Sequence, residues 1–447
     1  QWIQLNRTAE ITLEHFKDEQ FEIFQELKSL YTVLLENGYN EDSISKKLNI
    51  LDLQSIEPTY MPYYDSLVLG SDKLDMLIRL FLIRGGVDIK SATLLFGKNL
   101  LNLLFDLKVL YKRRGQIASY IDIFCIKNQY IATDHRFLFL SEDKISEDPV
   151  MYIGSDSFGL VNTAPRKFSK NTLDLCTGSG IQSIIASRYS DNVVAVDINP
   201  RAIRFARFNT QLNGVKNVQI IQSDLYNSIP QIKYDVILAN PPFVPSPDLN
   251  MKFRDGGVNG ESILSNIIQN APNYLSLAGR LYIVTDLVDV DNYKSKLLHW
   301  WGEDSARIMI LKTADRNEIL FSVPHCHYPF DQSYHEYKDE LIKWVDNFKN
   351  SNLKLVNFGY ILIERSNDKI FFSKTISNPS IPIYNLVNTF FTHHDLIKDS
   401  INNLILSVHD DIRLRREGDL QDTNLIYKLF AEKNPYFTEY IISKQIY

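Results

Sequence analysis

The chain has 447 residues, which is too long for one ordinary domain and indicates two or three. Hydrophobic residues make up 45% and charged residues 23% of it, as in average globular proteins, so the disordered, collagenous and coiled-coil classes are excluded. Lys and Arg number 48 against 54 Asp and Glu, a net charge of −6. The surface as a whole is therefore not that of a nucleic-acid binder, although a local basic patch is compatible with this balance.

Cysteine usage and hydropathy predict a cytoplasmic protein. The three cysteines, Cys125, Cys176 and Cys326, are far apart in sequence, so no disulfide framework or paired CxxC zinc site is expected. No run of residues approaches the roughly 18 apolar residues of a membrane helix. The first twenty residues also lack the apolar centre of a signal peptide. We therefore expect a soluble chain without a membrane partner.

Residues 1–60 are predicted to form a helical segment. Apolar side chains recur at spacings of three and four from Phe16 to Leu35, which is typical of an amphipathic helix, and Gly38 provides a natural end. The stretch 58–64, with two prolines and three tyrosines, is predicted to be an extended connector.

Residues 61–150 show the pattern of a winged-helix-like module. Three short apolar helices separated by glycines precede strand-like segments at 117–127 and 128–134. Such a module reads nucleic acid or peptides in some proteins and only packs against the next domain in others, and the sequence leaves both interpretations open. Its third helix is predicted to carry a basic cluster, which a solvated face would share. The cluster consists of Lys98, Lys108, Lys112, Arg113 and Arg114.

Residues 151–312 alternate between strand-like and helical patterns, which predicts an α/β fold with a doubly wound parallel sheet. The remaining residues, 313–447, are predicted to supply the rest of this core, with a last strand near 359–365, and a mixed α+β C-terminal appendage. The strands of the core are predicted at 171–178, 192–198, 217–224, 234–242, 279–286 and 307–313.

Three acidic residues follow successive predicted strands. Asp174 begins the sequence Asp-Leu-Cys-Thr-Gly-Ser-Gly, whose glycines allow a tight turn and a close approach of the backbone to a ligand. Asp197 ends the second strand, where it suits two ribose hydroxyls, and Asp224 follows the third, where it suits an adenine amino group. Each acid alone is also what a turn or helix cap uses. Their order at strand ends favours a nucleoside ligand.

The sequence Asn240-Pro241-Pro242-Phe243 stands at the end of the fourth predicted strand. A planar amino or amide nitrogen is a poor nucleophile, because its lone pair is delocalised. The Asn240 side-chain oxygen and the Pro241 carbonyl could accept hydrogen bonds from its two N–H groups. Two prolines would keep that backbone rigid, and Phe243 could pack on the planar group. A strand-terminating turn is the alternative interpretation of the prolines.

Together these motifs resemble the class I S-adenosylmethionine-dependent methyltransferases of the NPPF/NPPY amino-methylating group, over residues 165–290. The resemblance implies a Rossmann-like core, S-adenosylmethionine as cofactor and no metal. It implies an acceptor site made by Asn240, Pro241, Pro242 and Phe243. It implies a donor site made by Asp174, Cys176, Thr177, Gly178, Gly180, Asp197, Ile198, Asn199, Asp224, Leu225 and Asn240.

The acceptor is predicted to be a side-chain amide of a protein or peptide. The acidic net charge favours it, and Asp255-Gly-Gly257 with Gly260 resembles the glycine-rich turn of the glutamine methyltransferases, a candidate lid. The upstream stretch 157–168 lacks that family's full Pro-Arg-x-Glu-Thr pattern. An adenine-N6 or guanine-N2 amino group of RNA or DNA is the alternative acceptor. A non-catalytic winged-helix regulator with a methyltransferase-like sensor is the alternative of another class.

A histidine-rich stretch, His325-Cys326-His327 with His335 nearby, has the alternation that could bind zinc. No fourth ligand is close in sequence, and the chemistry predicted above uses no metal. We therefore expect surface or substrate-facing histidines here.

Overall fold

The computed structural model describes residues 21–136, 148–248, 252–302, 305–326, 333–400, 412–418, 425–431 and 440–442. The predicted start of the first helix at Phe16 lies outside these residues. No helix in the described ranges combines the length and hydropathy that crossing a bilayer requires.

The N-terminal segment is helical from Phe21–Glu36 (α1) and Glu41–Leu48 (α2). Gly38 has φ +68°, and this turn lets the Tyr39 amide donate to the Leu34 carbonyl at 2.9 Å. The prediction of an extended connector at 58–64 is wrong, because helical turns occupy 58–68. Pro58 is the first and Pro62 the second residue of two such turns, where a missing N–H costs nothing and the fixed φ of proline favours the helix.

The winged-helix-like module consists of three helical stretches and a small sheet of order β1-β3-β2. Its second helix is divided by Gly97, whose φ of 73° and ψ of 161° are not helical. The winged-helix assignment and the domain boundaries stay predictions. The elements are α3 (Lys73–Phe81), β1 (Val87–Asp88), α4 (Ile89–Asp106), β2 (Leu110–Arg113) and β3 (Gln116–Ser119).

Two predictions for this module need correction. The segment 117–127 is not one strand. Its first part belongs to β3 and pairs with β2, whereas Asp122–Ile126 (β4) pairs with Gln129–Thr133 (β5). The basic cluster is not on one helix. Only Lys98 lies on α4, which ends at Asp106, and the other four cations lie in the following turn and the β2–β3 hairpin.

The central sheet has eight strands in the order β13-β11-β12-β10-β9-β6-β7-β8. Strands β6 to β10 run parallel to one another, whereas β12 is antiparallel to both β10 and β11. The predicted α/β sheet is thus confirmed, and β13 is an edge strand that the sequence did not predict. The strands are β6 (Ser169–Leu175), β7 (Ser190–Asp197), β8 (Val218–Gln222), β9 (Tyr234–Ala239), β10 (Leu275–Val288), β11 (Ala306–Arg316), β12 (Val356–Glu364) and β13 (Lys369–Thr375).

Helices cover both faces of this sheet. Leu173, Ile237 and Ile283 are buried with α8 and α9 in one core, and the alternate residues Leu238 and Tyr282 are buried with α5 and α12 in another. The helices are α5 (Ser155–Thr163), α6 (Ile181–Ala186), α7 (Pro200–Leu212), α8 (Ser262–Tyr274), α9 (Tyr293–Trp301), α10 (Glu318–Ser322), α11 (Tyr334–Asn350) and α12 (Tyr384–Ser400). The C-terminal residues add β14 (Ile412–Glu417), β15 (Ile426–Ala431) and β16 (Tyr440–Ile442).

The N-terminal region docks on α7 through buried polar side chains. Asn209 accepts from the Ala132 amide and donates to its carbonyl, both at 2.8 Å, and Asn213 repeats this pattern with Tyr130 one turn later. The side-chain amides of these two helix residues thus bind the backbone of β5 as a neighbouring strand would. Beside them the guanidinium of Arg201 makes two hydrogen bonds to a buried carboxylate, that of Asp134.

Candidate active site

A cavity of about 470 Å³ opens at the carboxyl ends of β6, β7, β8 and β9. The chain runs from β6 outward to β8, then returns to place β9 and β10 on the other side of β6. Ligands of open α/β sheets bind at such a switch point, because the loops after neighbouring strands part there and leave a crevice. The size of the cavity suits a cofactor together with a small acceptor group.

The loop after β6 turns sharply beneath this cavity. Cys176, Gly178 and Gly180 all have positive φ, at 56°, 55° and 82°. Space around Gly178 is open, so the bare backbone faces the cavity. A Cβ at Gly180 would lie 3.2 Å from the Cβ of Ala206, so this glycine allows close packing of α6 on α7.

Asp174 holds the glycine loop in place from below. One of its carboxylate oxygens accepts hydrogen bonds from the Thr177 hydroxyl at 2.6 Å and from the amide and hydroxyl of Ser183 at 3.0 and 2.6 Å. The other oxygen is buried and has no protein partner in the described part of the chain. Burial raises the pKa of Asp174 to about 6 despite these hydrogen bonds.

Asp197 connects the second strand to the glycine loop. Its carboxylate accepts from the amides of Gly178 and Asn199, both at 2.9 Å, and burial raises its pKa. Asp224, on the next strand end, is exposed and lines the same cavity. The Cys176 thiol stays protonated, because burial, and then the charge of Asp197, raise its pKa. This end of the cavity is therefore acidic and has no thiolate nucleophile.

Asn240 has a defined orientation at the end of β9. Its Nδ2 donates to the buried carboxylate of Asp156 at 2.9 Å and lies 3.5 Å from the Ser157 hydroxyl. An ionised carboxylate only accepts hydrogen bonds, so the amide nitrogen must face Asp156 and the amide oxygen must face away. In the described part of the chain nothing donates to that oxygen. Burial raises the pKa of Asp156, whereas the hydrogen bond from Asn240 opposes the rise.

The glycine-rich turn pairs with the residues that follow Asn240. Val244 exchanges backbone hydrogen bonds with Arg254 and Gly256 at 3.0 and 2.9 Å. Gly260 has φ +74°, and a Cβ there would lie 2.4 Å from the Phe243 carbonyl oxygen, so only glycine fits. Together with Lys252 and Phe253, the turn forms one wall of the cavity before α8 begins.

The structure brings together most, but not all, of the side chains predicted for the site. Asp174 and Gly180 support the loop without lining the cavity, and Pro241 and Phe243 stand behind Asn240 and Pro242, which do line it. Phe243 instead packs 6.2 Å from the ring of Phe358. The predicted donor residues that line the cavity are Cys176, Thr177, Gly178, Asp197, Ile198, Asn199, Asp224, Leu225 and Asn240.

Sequence reasoning missed Asp156 and Ser157. They stand at the start of α5, and Asp156 is buried although it belongs to a residue type that is rarely buried unpaired. A weak signal was present, since Ser157 begins the stretch 157–168 noted above and Asp156 directly precedes it. The role of Asp156 becomes visible only in the fold, through its hydrogen bond with Asn240, which is 84 positions away in sequence.

His325, the first residue of the histidine stretch, packs against aromatic neighbours. The ring of His325 stacks on Trp344 at 5.1 Å and donates from Nδ1 to the Phe321 carbonyl, and burial lowers its pKa to about 4. His327 lies outside the described residues. Within the described ranges, no group of three His, Cys, Asp or Glu side chains is arranged to hold a metal ion.

The cavity fits S-adenosylmethionine. This cofactor carries a sulfonium and an ammonium group, and the acidic end of the cavity is lined by Asp197 and Asp224, while the unpartnered buried oxygen of Asp174 lies beneath the glycine loop. The bare backbone at Gly178 permits close approach of a ligand. The residues present therefore suit the charge and shape of the group.

Comparison with known proteins gives the same assignment. The family model "Methyltransferase small domain" matches residues 153–300. A proposed protein N5-glutamine methyltransferase of Methanocaldococcus jannaschii is 34% identical over 179 residues, which are 37% of this chain and 89% of that protein. A release factor glutamine methyltransferase of Thermodesulfovibrio yellowstonii is 28% identical over 124 residues, 25% of this chain and 44% of the relative.

A ribosomal protein uL3 glutamine methyltransferase of Bradyrhizobium diazoefficiens is 34% identical over 125 residues, 25% of this chain and 39% of the relative. The matches thus span less than half of the last two relatives. A proposed S-adenosylmethionine-dependent methyltransferase of Streptococcus mutans, known from its solved structure, has a TM-score of 0.34 at 12% identity, over 60% of this chain and 64% of that one. The chain belongs to the class I S-adenosylmethionine-dependent methyltransferases of the NPPF/NPPY amino-methylating group.

Proposed function

We propose that the chain methylates the side-chain amide of a glutamine in a protein or peptide. The observation that carries this proposal is the orientation of Asn240, whose Nδ2 is held by Asp156 at 2.9 Å. The amide oxygen is thereby left to accept a hydrogen bond from an acceptor nitrogen. All three named relatives carry names of glutamine methyltransferases, one of them as a proposed activity, and the named substrates are as different as a release factor and uL3, which supports the same acceptor here.

The donor would lie along the strand ends. Asp197 would accept from the ribose hydroxyls, Asp224 and Leu225 would contact the adenine, and the loop around Gly178 would contact the amino-acid moiety. When bound there, S-adenosylmethionine supplies a sulfonium methyl group, whose transfer to the amide nitrogen with loss of one N–H proton yields N5-methylglutamine and S-adenosylhomocysteine.

The protein contributes mainly position to this reaction. Asn240 Oδ1 would accept a hydrogen bond from an N–H group of the acceptor amide, which fixes the nitrogen and raises its electron density. No residue has to act as a strong base, because the proton becomes acidic once the nitrogen has four bonds. Asp156 is a positioning residue, since it acts through the Asn240 amide.

Labelled methyl transfer to a cell extract tests this function. The label should enter protease-sensitive, nuclease-resistant material, and acid hydrolysis of it should release labelled methylamine, as N5-methylglutamine does. Label in nuclease-sensitive material would instead identify a nucleobase as the acceptor and overturn the proposal. The Asn240→Ala variant is the matched control and should label neither fraction.

A further inference from the structure

We propose that the winged-helix-like module binds the phosphodiester backbone of a nucleic acid through a surface outside the active site. This basic surface consists of Lys90, Lys98, Lys108, Lys112 and Arg114. None of these residues lines the cavity, so the surface is separate from the methyl-transfer chemistry.

The first support is a local excess of positive charge. Residues 82–119 contain seven Lys and Arg and only two acids, whereas the whole chain has 48 Lys and Arg against 54 acids. One of the two acids, Asp88, caps α4 by accepting from the amides of Lys90 and Ser91. The module therefore creates a positive field on an otherwise acidic protein.

The second support is that the four lysines of this surface lack salt-bridge partners in the described part of the chain. By comparison, Lys47 on α2 and Arg79 on α3 form ion pairs with Asp75 and Asp65 at 2.7 and 2.6 Å. In contrast, no described carboxylate forms a salt bridge with the four lysines of the basic surface. Such unpaired cations gain more from an external anion, because no internal pair has to be broken.

The third support is geometry. Lys112 lies with its Nζ 5.9 Å from the ring centroid of Phe105, so the β2–β3 hairpin and the last part of α4 form one continuous surface. The hairpin turns in two residues, Arg114 and Gly115, with φ of 48° and 81°. Such a turn usually has Asn-Gly, because its first residue also needs a positive φ. The exposed Arg114 is therefore held in a strained backbone conformation.

The chemistry of the surface favours nucleic acid over a peptide. Lys98, Asn99 and Asn102 are exposed along the last part of α4 and offer donors to phosphates or base edges. Between residues 98 and 116, which carry four of the five cations, no large apolar side chain is exposed, whereas Ile89 and Leu94 are exposed near Lys90. A peptide-docking surface would present such anchors. A duplex, with its regular phosphates, can instead be contacted by cations on two separate elements.

Binding to this surface would affect the enzyme by placing an acceptor near the cavity. The module leads directly into β4, β5 and Asp134, which are fixed to α7 by Asn209, Asn213 and Arg201, so a nucleic acid on the module would have a defined position relative to the cavity. An acceptor protein bound to that nucleic acid would then be brought close to Asn240. The binding proposal holds whatever the acceptor is.

Fluorescence anisotropy with the full chain tests it. The probes are a 20-base-pair RNA duplex, a DNA duplex of the same sequence and a polyglutamate peptide, each measured over a range of salt concentrations. We expect at least one duplex to bind with strong salt dependence, and the two duplex arms show whether RNA or DNA is preferred. The double variant Lys98→Gln, Lys112→Gln should reduce the slope of log K against log salt by about 1.8, or 0.9 per lysine.

The matched control is Arg188→Gln with Lys216→Gln, two exposed cations on the methyltransferase core. It should leave duplex affinity unchanged. Equal loss in both double variants, absence of salt-dependent duplex binding, or tighter binding of polyglutamate would each overturn the proposal. Methyl transfer to a free protein acceptor should stay normal in Lys98→Gln, Lys112→Gln, so a failure of this proposal is distinguishable from a failure of the proposed function.

Discussion

The docking interface on α7 and the rim of the cavity both depend on asparagine amides, which they use in opposite ways. Asn209 is fully buried and satisfies both ends of its amide, with Ala132 on one side and Ser179 of the glycine loop on the other. Asn240 satisfies only its nitrogen, through Asp156. A saturated amide holds two parts of a fold together, whereas a half-satisfied amide on a cavity wall is ready for a ligand.

The largest expected effect comes from Asn240→Ala. This change removes an acceptor that acts only on the reacting group, so kcat should fall about a thousandfold, as for other positioned hydrogen-bond groups. The affinity for S-adenosylmethionine and the free energy of unfolding should change little. Steady-state kinetics, calorimetry and urea unfolding measure the three quantities. Normal turnover would show that Asn240 does not orient the acceptor.

Asn209→Ala should have the opposite result. It leaves the amide and carbonyl of Ala132 and the carbonyl of Ser179 without their partner, which should lower the free energy of unfolding by about 3 kcal/mol. Urea unfolding measures the loss. Below the unfolding transition kcat should stay near the wild-type value. A loss of activity as large as that of Asn240→Ala would contradict a purely structural role for Asn209.

Asp197→Ala should weaken the binding of S-adenosylmethionine by about 10- to 100-fold, because it removes the proposed ribose acceptor and the bonds that hold Gly178 and Asn199. Isothermal titration calorimetry measures this change. Asp197→Asn, which keeps one acceptor oxygen, is the control and should lose less. Unchanged affinity in Asp197→Ala would remove Asp197 from the donor site.

Asp174 predicts a pH dependence of stability. Its pKa of about 6 in the folded protein is above the ordinary value of 3.8, so between these values the folded state holds a proton that the unfolded state has lost. Stability therefore falls as pH rises through this window. Asp174→Asn does not titrate, so its free energy of unfolding relative to wild type should rise by about 1 to 2 kcal/mol from pH 5 to pH 7.5.

Urea unfolding without cofactor at both pH values checks this expectation. Asp191→Asn is a suitable control, because Asp191 is exposed, and its difference from wild type should be the same at both pH values. A constant difference for Asp174→Asn as well would show that this carboxyl ionises normally in the folded protein.

Asp156→Ala should have the smallest effect, a fall in kcat of about tenfold with KM for the acceptor and donor affinity near normal, because it frees the Asn240 amide to rotate without removing it. Asp156→Asn can still offer an oxygen to Asn240 Nδ2 and should recover part of the activity. If Asp156→Asn were no better than Asp156→Ala, the carboxyl would act otherwise than through Asn240.

The parallel strands and the strand-end acids were predictable from the sequence because both depend on local patterns. A buried parallel strand is a short apolar run, and an acid directly after it must lie at the carboxyl edge of the sheet. The helical turns at Pro58 and Pro62 were not predictable with the same rules, since proline starts helices as well as interrupting them. The basic cluster was misplaced because α4 ends at Asp106, well before most of its cations.

The sequence by itself thus determined the class of chemistry: the glycine loop, the acids at 174, 197 and 224, and the asparagine at 240 are local signals of a methyl-transfer site. Only the tertiary structure decided what each residue does there. It placed Asp174 and Gly180 beneath the loop, joined Asp156 to Asn240, and gave Asn209 and Asn213 the task of docking the N-terminal region. The physical reason is that an amide or a carboxylate has the same chemistry wherever it stands in the chain, and its role depends on which partners the fold brings to it and which it leaves open.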